Sequence, residues 1–258
     1  MRNSTAYASP QTYAMRNSAD HTSPQAYARV GGILYLVIVV TGLFAEMYVR
    51  SGLIVRFDPA ATAINVMASE SLLRKAFAGE MVLLICDVVL ALVFYVLLKP
   101  INRNLALLAA LFRMVHLTIY GVIGLSNITA MILLGSAKYQ YLKAFQPQQL
   151  EVLAYLCFKL HGEGYDIALI LFSCHCLLVG YLIFKSGYIP RILGIGMTVT
   201  GLCYLTNSFV GILAPGFQAM LLPWIVLPPI IAEGILGLWL TVKGVNIPKW
   251  KEKQAVEA

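Results

Sequence analysis

The segment from His161 to Gly187, HGEGYDIALILFSCHCLLVGYLIFKSG, sets His161, Glu163, Asp166, His175 and Lys185 on or just before an apolar run. Imidazoles and carboxylates are the side chains that relay protons and ligate metals. His161 and His175 are about 40° short of sharing one helix face at roughly 100° per residue. Upstream, Glu80 and Asp87 lie two turns apart along one face. Arg113, His116, Tyr120 and Asn127 follow helical steps and form a polar stripe on an oily stretch. Glu233 comes just after Pro223, Pro228 and Pro229, which free carbonyls one turn earlier. Three chemistries fit such residues. The carboxylates suit a small ligand, a proton or a cation. His116 and His175 with a carboxylate suit a zinc-activated water. The same two histidines suit the axial positions of one haem.

The metal and haem readings have little else behind them. The H-x-x-x-H pair of multi-span metal hydrolases is absent, and no nucleophile motif assigns a reaction. Cys174-His-Cys176 is no metal trio, because neighbours two apart on a helix face different ways. Cys86, Cys157 and Cys203 also sit in apolar segments, with no C-x-x-C pair, and read as packing thiols. No cofactor is expected, and no metal site is assigned beyond His116 and His175 as weak candidate ligands.

What positions these residues is almost entirely oil. Of 258 residues, 59% are hydrophobic and 12% charged, with mean hydropathy +0.77; a soluble domain runs at about 25% charged. The expected fold is an all-α, polytopic integral membrane bundle of six transmembrane helices. A short interfacial helix follows the first span, opened by Asp58-Pro59, and the third and fourth helices are elongated. Residues 1–29 hold a tandem fourteen-residue repeat, MRNSTAYASPQTYA then MRNSADHTSPQAYA, and read as a disordered tail with Met15 a second candidate start. Residues 30–245 form the six-helix domain, and residues 246–258 a cytoplasmic amphiphilic tail. The spans are expected near 30–49, 76–98, 104–135, 165–185, 191–213 and 219–242. Gly162-Glu163-Gly164 interrupts the apolar pattern before the fourth, and Arg50 to Lys75 reads as a loop.

Net charge is +7, but the basic residues lie at span ends rather than in a patch. The expected partners are membrane lipids and a small ligand or cation, not nucleic acid. With six spans, Arg2, Arg16, Arg29, Lys99, Arg103, Lys185, Arg191 and the tail lysines fall on one side. That side outweighs the other, so both termini are expected in the cytoplasm. Depth then follows by counting. Asp87, Arg113, His116, His175 and Glu233 form a central layer; Glu46, Glu80, Asn127, His161, Asp166 and Asn207 form an outer one. Turning Asp87, Arg113 and Glu233 to lipid would cost roughly 8–10 kcal/mol, so they face inward. One arginine against two carboxylates leaves a negative charge that a proton, a protonated histidine or a bound cation must balance. His161 is expected near the outer surface, and Tyr165 and Trp224 in the interfacial aromatic belt.

The phrases GILYLVIVVTGLFAEMYVRSGLIV, DVVLALVFYVLLKPINRNLALLAALFRMV and HGEGYDIALILFSCHCLLVGYLIFKSGYIPRILG resemble an uncharacterised bacterial membrane-protein family, DUF4386, a domain of unknown function. The likeness runs from about Val30 to Val245. It implies a helical protein of the bacterial inner membrane and brings no activity or catalytic residues. Three readings therefore stay open. The polar cluster binds a small ligand, proton or cation, or it holds helices together in a structural or assembly role. An intramembrane metal-dependent hydrolase is the third.

Overall fold

A computed structural model describes residues 23–135 and 138–257. The first copy of the tandem repeat, Met15 and His21 lie outside these residues, whereas residues 23–28 of the second copy cap and open the first helix instead of belonging to a disordered tail. Every long element is a helix: α1 (Pro24–Leu53), α2 (Pro59–Ala68), α3 (Glu70–Leu98), α4 (Arg103–Leu134), α5 (Pro147–Ser186), α6 (Arg191–Leu213), α7 (Pro215–Ile225), α8 (Leu227–Val242) and α9 (Ile247–Glu257). Six spans are long and apolar enough to cross a membrane, α7 and α8 together making the sixth.

Local chemistry explains the helix starts. Ser23 caps α1 by accepting from the Gln25 amide at 3.3 Å, with Pro24 at the first helical position. Asp58 accepts from Ala61 N at 2.9 Å ahead of Pro59, and Asn102 accepts from Leu105 N at 2.9 Å. Each removes an orphan amide that a helix start leaves bare. Gln146 and Gln149 close a capping box at α5, whose other end stops at Gly187 with φ +73°, a left-handed value glycine adopts without strain.

The spans pack in chain order as a closed ring, α1–α3–α4–α5–α6–α8, with α8 returning to α1. Gln25 fastens that seam, donating to Lys243 O at 2.9 Å and accepting from Val245 N at 3.0 Å. Apolar side chains at mid-helix, among them Val40, Ile85, Leu92, Val122 and Leu202, stay exposed on the outside of the ring. In water this would be an aggregation surface; against acyl chains it is the expected exterior.

Several boundaries differ from the sequence expectation. α1 starts at Pro24, six residues before Val30, and runs on through a π-helical segment, Phe44–Arg50, to Leu53. Arg50 is therefore a helix residue, not a loop charge. α3 starts at Glu70 rather than Ala76. α5 runs unbroken through Gly162 and Gly164; a Cβ at Gly164 would sit 2.5 Å from Ile123, so that glycine admits a close α4 neighbour. The sixth span breaks at Val226. The C-terminal segment forms α9, whose Trp250 is buried and donates to Leu97 O at 3.1 Å. α2 lies over the far end, held by Phe57 N donating to the Tyr155 hydroxyl at 2.8 Å.

Without a hydrophobic drive between helices in lipid, close packing supplies the attraction. A Cβ on Gly194 would lie 2.6 Å from Gly180 O and 2.7 Å from Phe184 N, so α5 and α6 touch backbone to backbone there. Gly194→Val is expected to destabilise the protein by about 1–3 kcal/mol or more. Gly234→Ala, where an added Cβ meets nothing within 4 Å, should be neutral or stabilising by up to ~1 kcal/mol. Thermal unfolding of both variants in detergent measures the difference.

Candidate functional site

The ring brings Asp87 (α3), Arg113 (α4) and His175 (α5) together in its middle. Arg113 is wholly buried, and its Nε donates to Asp87 Oδ1 at 2.7 Å while Nη2 also reaches that oxygen. Its Nη1 lies 2.8 Å from His175 Nε2. Arginine only donates, so His175 Nε2 accepts and the imidazole proton sits on Nδ1. That nitrogen donates to Ala109 O at 2.8 Å. Every polar atom of the histidine is thus accounted for, and it is held neutral beside a cation.

Around the guanidinium stand three rings. Arg113 Cζ lies 5.6 Å from the centroid of Tyr35, 5.8 Å from Phe94 and 5.2 Å from Phe172. Aromatic faces attract a cation and exclude water. Asp87, His175 and these rings fill the surroundings of Arg113, so it is a fixed part of the framework rather than a free anion receptor.

His116 occupies the same layer without joining that network. Its Nδ1 donates to Ala168 O at 3.0 Å, and its ring packs 4.8 Å from Phe172, which also stacks on His175 at 5.6 Å. Phe172 thus touches both imidazoles. With His175 Nε2 taken by Arg113, the two histidines do not offer a shared metal position. Among the described residues no group of three or more His, Cys, Asp or Glu is arranged to hold a metal ion.

Glu233, on α8 just past the proline-rich break, is buried at 7% exposure. It makes no ion pair among the described residues, and its Oε1 has no hydrogen-bond partner. Tyr204 of α6 serves the carboxyl as a side-chain partner, and Tyr35, Asp87, Arg113 and Cys176 lie within electrostatic range. Asp87 takes the arginine, and Glu233 is the carboxyl left over.

The outer residues divide into two groups. Glu46, Glu80, Asn127 and His161 gather around Arg50, whose Nη1 lies 3.0 Å from His161 Nδ1 and whose Nη2 donates to Phe158 O. Arg50 Nε lies 3.7 Å from Glu46 Oε2. His161 is fully buried within the bundle. Asp166 and Asn207 sit apart from these, joined through Gln218 of α7, whose Nε2 donates to Asp166 Oδ2 at 3.0 Å and to Asn207 O at 3.4 Å. Tyr165 packs inside on Tyr120, ring centroids 5.5 Å apart, instead of lying in an interfacial belt. Trp224 is exposed.

Sequence reasoning missed Arg50, Gln218 and the Tyr35–Phe94–Phe172 enclosure. Arg50 carried a usable signal, the Glu46–Arg50 spacing of four residues. The rings carried none, since aromatic residues in an apolar helix are unremarkable without knowing which faces meet.

Removing one partner of a buried ion pair strands the other charge. Asp87→Asn is expected to destabilise the protein by about 3–5 kcal/mol. The double variant Asp87→Leu/Arg113→Met should recover much of that loss, giving a large coupling energy in a thermal-unfolding double-mutant cycle.

The sequence model of a family described as Domain of unknown function (DUF4386) matches residues 30–244. A protein of Archaeoglobus fulgidus described as an uncharacterized protein is 26% identical over 169 residues, covering 66% of this chain and 83% of its own length. No solved structure matches the chain. The match takes in all but the start of the first span and every residue of the central layer, and on it the chain belongs to the DUF4386 family.

Proposed function

We propose that this multi-pass membrane protein carries one exchangeable proton at mid-membrane on Glu233, against a rigid Asp87–Arg113–His175 framework. The observation that carries the reading is the unpartnered Oε1 of a buried carboxyl next to an arginine already neutralised by Asp87. A bare carboxylate there would be an uncompensated charge in a low-dielectric interior, which no fold sustains cheaply. A proton cancels it with a single bond and needs no further oxygen ligands. The neighbouring break at Val226, flanked by Pro223 and Pro228, adds a weak point in the backbone of the kind transporters place beside their binding sites.

The structural reading is favoured for Asp87, Arg113 and His175, because their donors and acceptors serve one another across three helices. The two readings apply to different residues and are compatible. The basic bias of the N-terminal tail, the Lys99–Arg103 and Lys185–Arg191 turns and α9 supports a cytoplasmic-membrane location in a prokaryote with both termini inside. A periplasm-dependent reporter such as alkaline phosphatase, fused after Ala258, should be inactive; an active fusion inverts the topology.

Infrared spectroscopy of the reconstituted protein tests the proton directly. A carboxylic-acid C=O band that disappears on raising pH is expected in the wild type and is expected to be missing in Glu233→Gln. An identical band in the variant, or its absence from the wild type, removes the proposal.

A further inference from the structure

At the end of the ring where α9 docks, the turn between α5 and α6 and the connection between α8 and α9 border an open cavity of about 420 Å³. That volume falls within the range of small-ligand sites. Tyr188, Pro190, Arg191, Trp239, Asn246 and Lys249 are among its lining residues. Hydrogen bonds fix its walls. Asn246 N donates to Tyr188 O at 3.0 Å, and the Tyr188 hydroxyl donates to Leu97 O at 2.6 Å. Asn246 Oδ1 accepts from Lys249 N at 3.2 Å and so caps the helix that carries the lysine.

Charge and donors select the occupant. Arg191 and Lys249 line the cavity and no carboxylate does. Neither cation makes an ion pair among the described residues. Trp239 Nε1, which can only donate, is buried without a hydrogen-bond partner. α6 starts on the rim with no side-chain cap, so its first amides and its dipole add to the positive potential. All of these call for an anionic oxygen. Height narrows the choice further. The cavity lies where α5 ends at Ser186, α6 begins at Arg191 and α8 ends at Val242, the level expected for lipid headgroups. Just inside that level Phe184, Ile192, Ile195 and Leu238 expose apolar side chains on the same three helices. Arg191 Cζ lies 5.6 Å from the Phe184 ring, joining the basic rim to that oily surface.

We propose that this cavity binds a phosphate ester, the headgroup of one anionic phospholipid, with Arg191, Lys249 and Trp239 Nε1 serving the phosphate oxygens. Guanidinium pairs with phosphate through parallel hydrogen bonds, and ammonium acts as a point charge. Basic pockets between helix ends take phospholipid headgroups for this reason. A free phosphate would satisfy the rim alone, whereas a lipid also covers the apolar side chains beneath it. Bound there, the headgroup ties the start of α6 to α8 and α9. The site is separate from Glu233 and does not depend on its proton.

The test uses the purified full chain in uncharged detergent at constant ionic strength, titrated with dioctanoyl phosphatidylglycerol, dioctanoyl phosphatidylcholine or glycerol 1-phosphate. Ligand binding to the folded state raises the unfolding midpoint with concentration. Phosphatidylglycerol is expected to raise it saturably, and the other two to raise it little. In Arg191→Gln/Lys249→Gln the apparent affinity should fall by about tenfold or more, the loss expected for two cations removed from a headgroup. Both side chains are exposed, and the midpoint of the double variant without lipid establishes that it folds. Trp239→Phe keeps the ring and should lose about threefold or more with the N–H. A full rise with glycerol 1-phosphate that the double variant abolishes supports the phosphate site and moves its source from lipid to solution. An equal rise with phosphatidylcholine, no rise with any of the three, or a phosphatidylglycerol rise unchanged in the double variant overturns the proposal.

Discussion

The structure depends on one dehydrated ion pair. Arg113 and Asp87 meet where water is absent, and desolvating two charges is worthwhile only with good geometry and further hydrogen bonds. Both conditions are met: Nε and Nη2 converge on Asp87 Oδ1, Nη1 is accepted by His175, and His175 passes its own proton to Ala109 O. Three aromatic rings exclude anything else. Because the trio comes from α3, α4 and α5, it also sets the heights of those helices against one another. A slip by a residue on any of them would strand a charge in oil.

Packing elsewhere in the ring is undirected by comparison. α1 and α8 approach at Gly32 and Gly237, and α5 and α6 at Gly180 and Gly194, where backbone meets backbone. Such contacts attract through dispersion alone and tolerate sliding more readily than a hydrogen-bonded charge. Glycines set how close the helices come, and the ion pair sets their register. The sixth span is the exception to regularity, broken at Val226 where Pro228 and Pro229 open a new helix, and it is the span that presents the surplus carboxyl.

The same arithmetic occurs twice in the molecule. At the centre, Arg113 faces Asp87 and Glu233; toward the far end, Arg50 faces Glu46 and Glu80. In each case one carboxylate takes the arginine and the other remains. The surroundings differ. Glu233 sits among Tyr35, Tyr204 and Cys176 with its Oε1 unpartnered, a setting the proposed proton would satisfy. Glu80 lines a small, mostly apolar cavity together with Arg50 and Asn127.

Composition and spacing alone determined the class of this protein: with so few charges spread over six long apolar runs, burial against lipid is the only low-energy outcome. The inward direction of Asp87, Arg113 and Glu233 was likewise legible, because the cost of facing lipid exceeds what a fold can bear. The start of α2 at Asp58-Pro59 was readable from capping chemistry. Which inward residues meet was not readable. Depth by counting put His116 and His175 in one layer with Arg113, and rotation about the helix axes gave the guanidinium to His175 and left His116 to a backbone carbonyl. The outer layer looked uniform by depth and divided in two, Asp166 and Asn207 going to Gln218 while Glu46, Glu80, Asn127 and His161 went to Arg50. A one-dimensional pattern carries height along a helix and, within one helix, its face. The angular order of helices around a common axis comes only from their mutual packing, so the pairing of charges was decided by the tertiary structure.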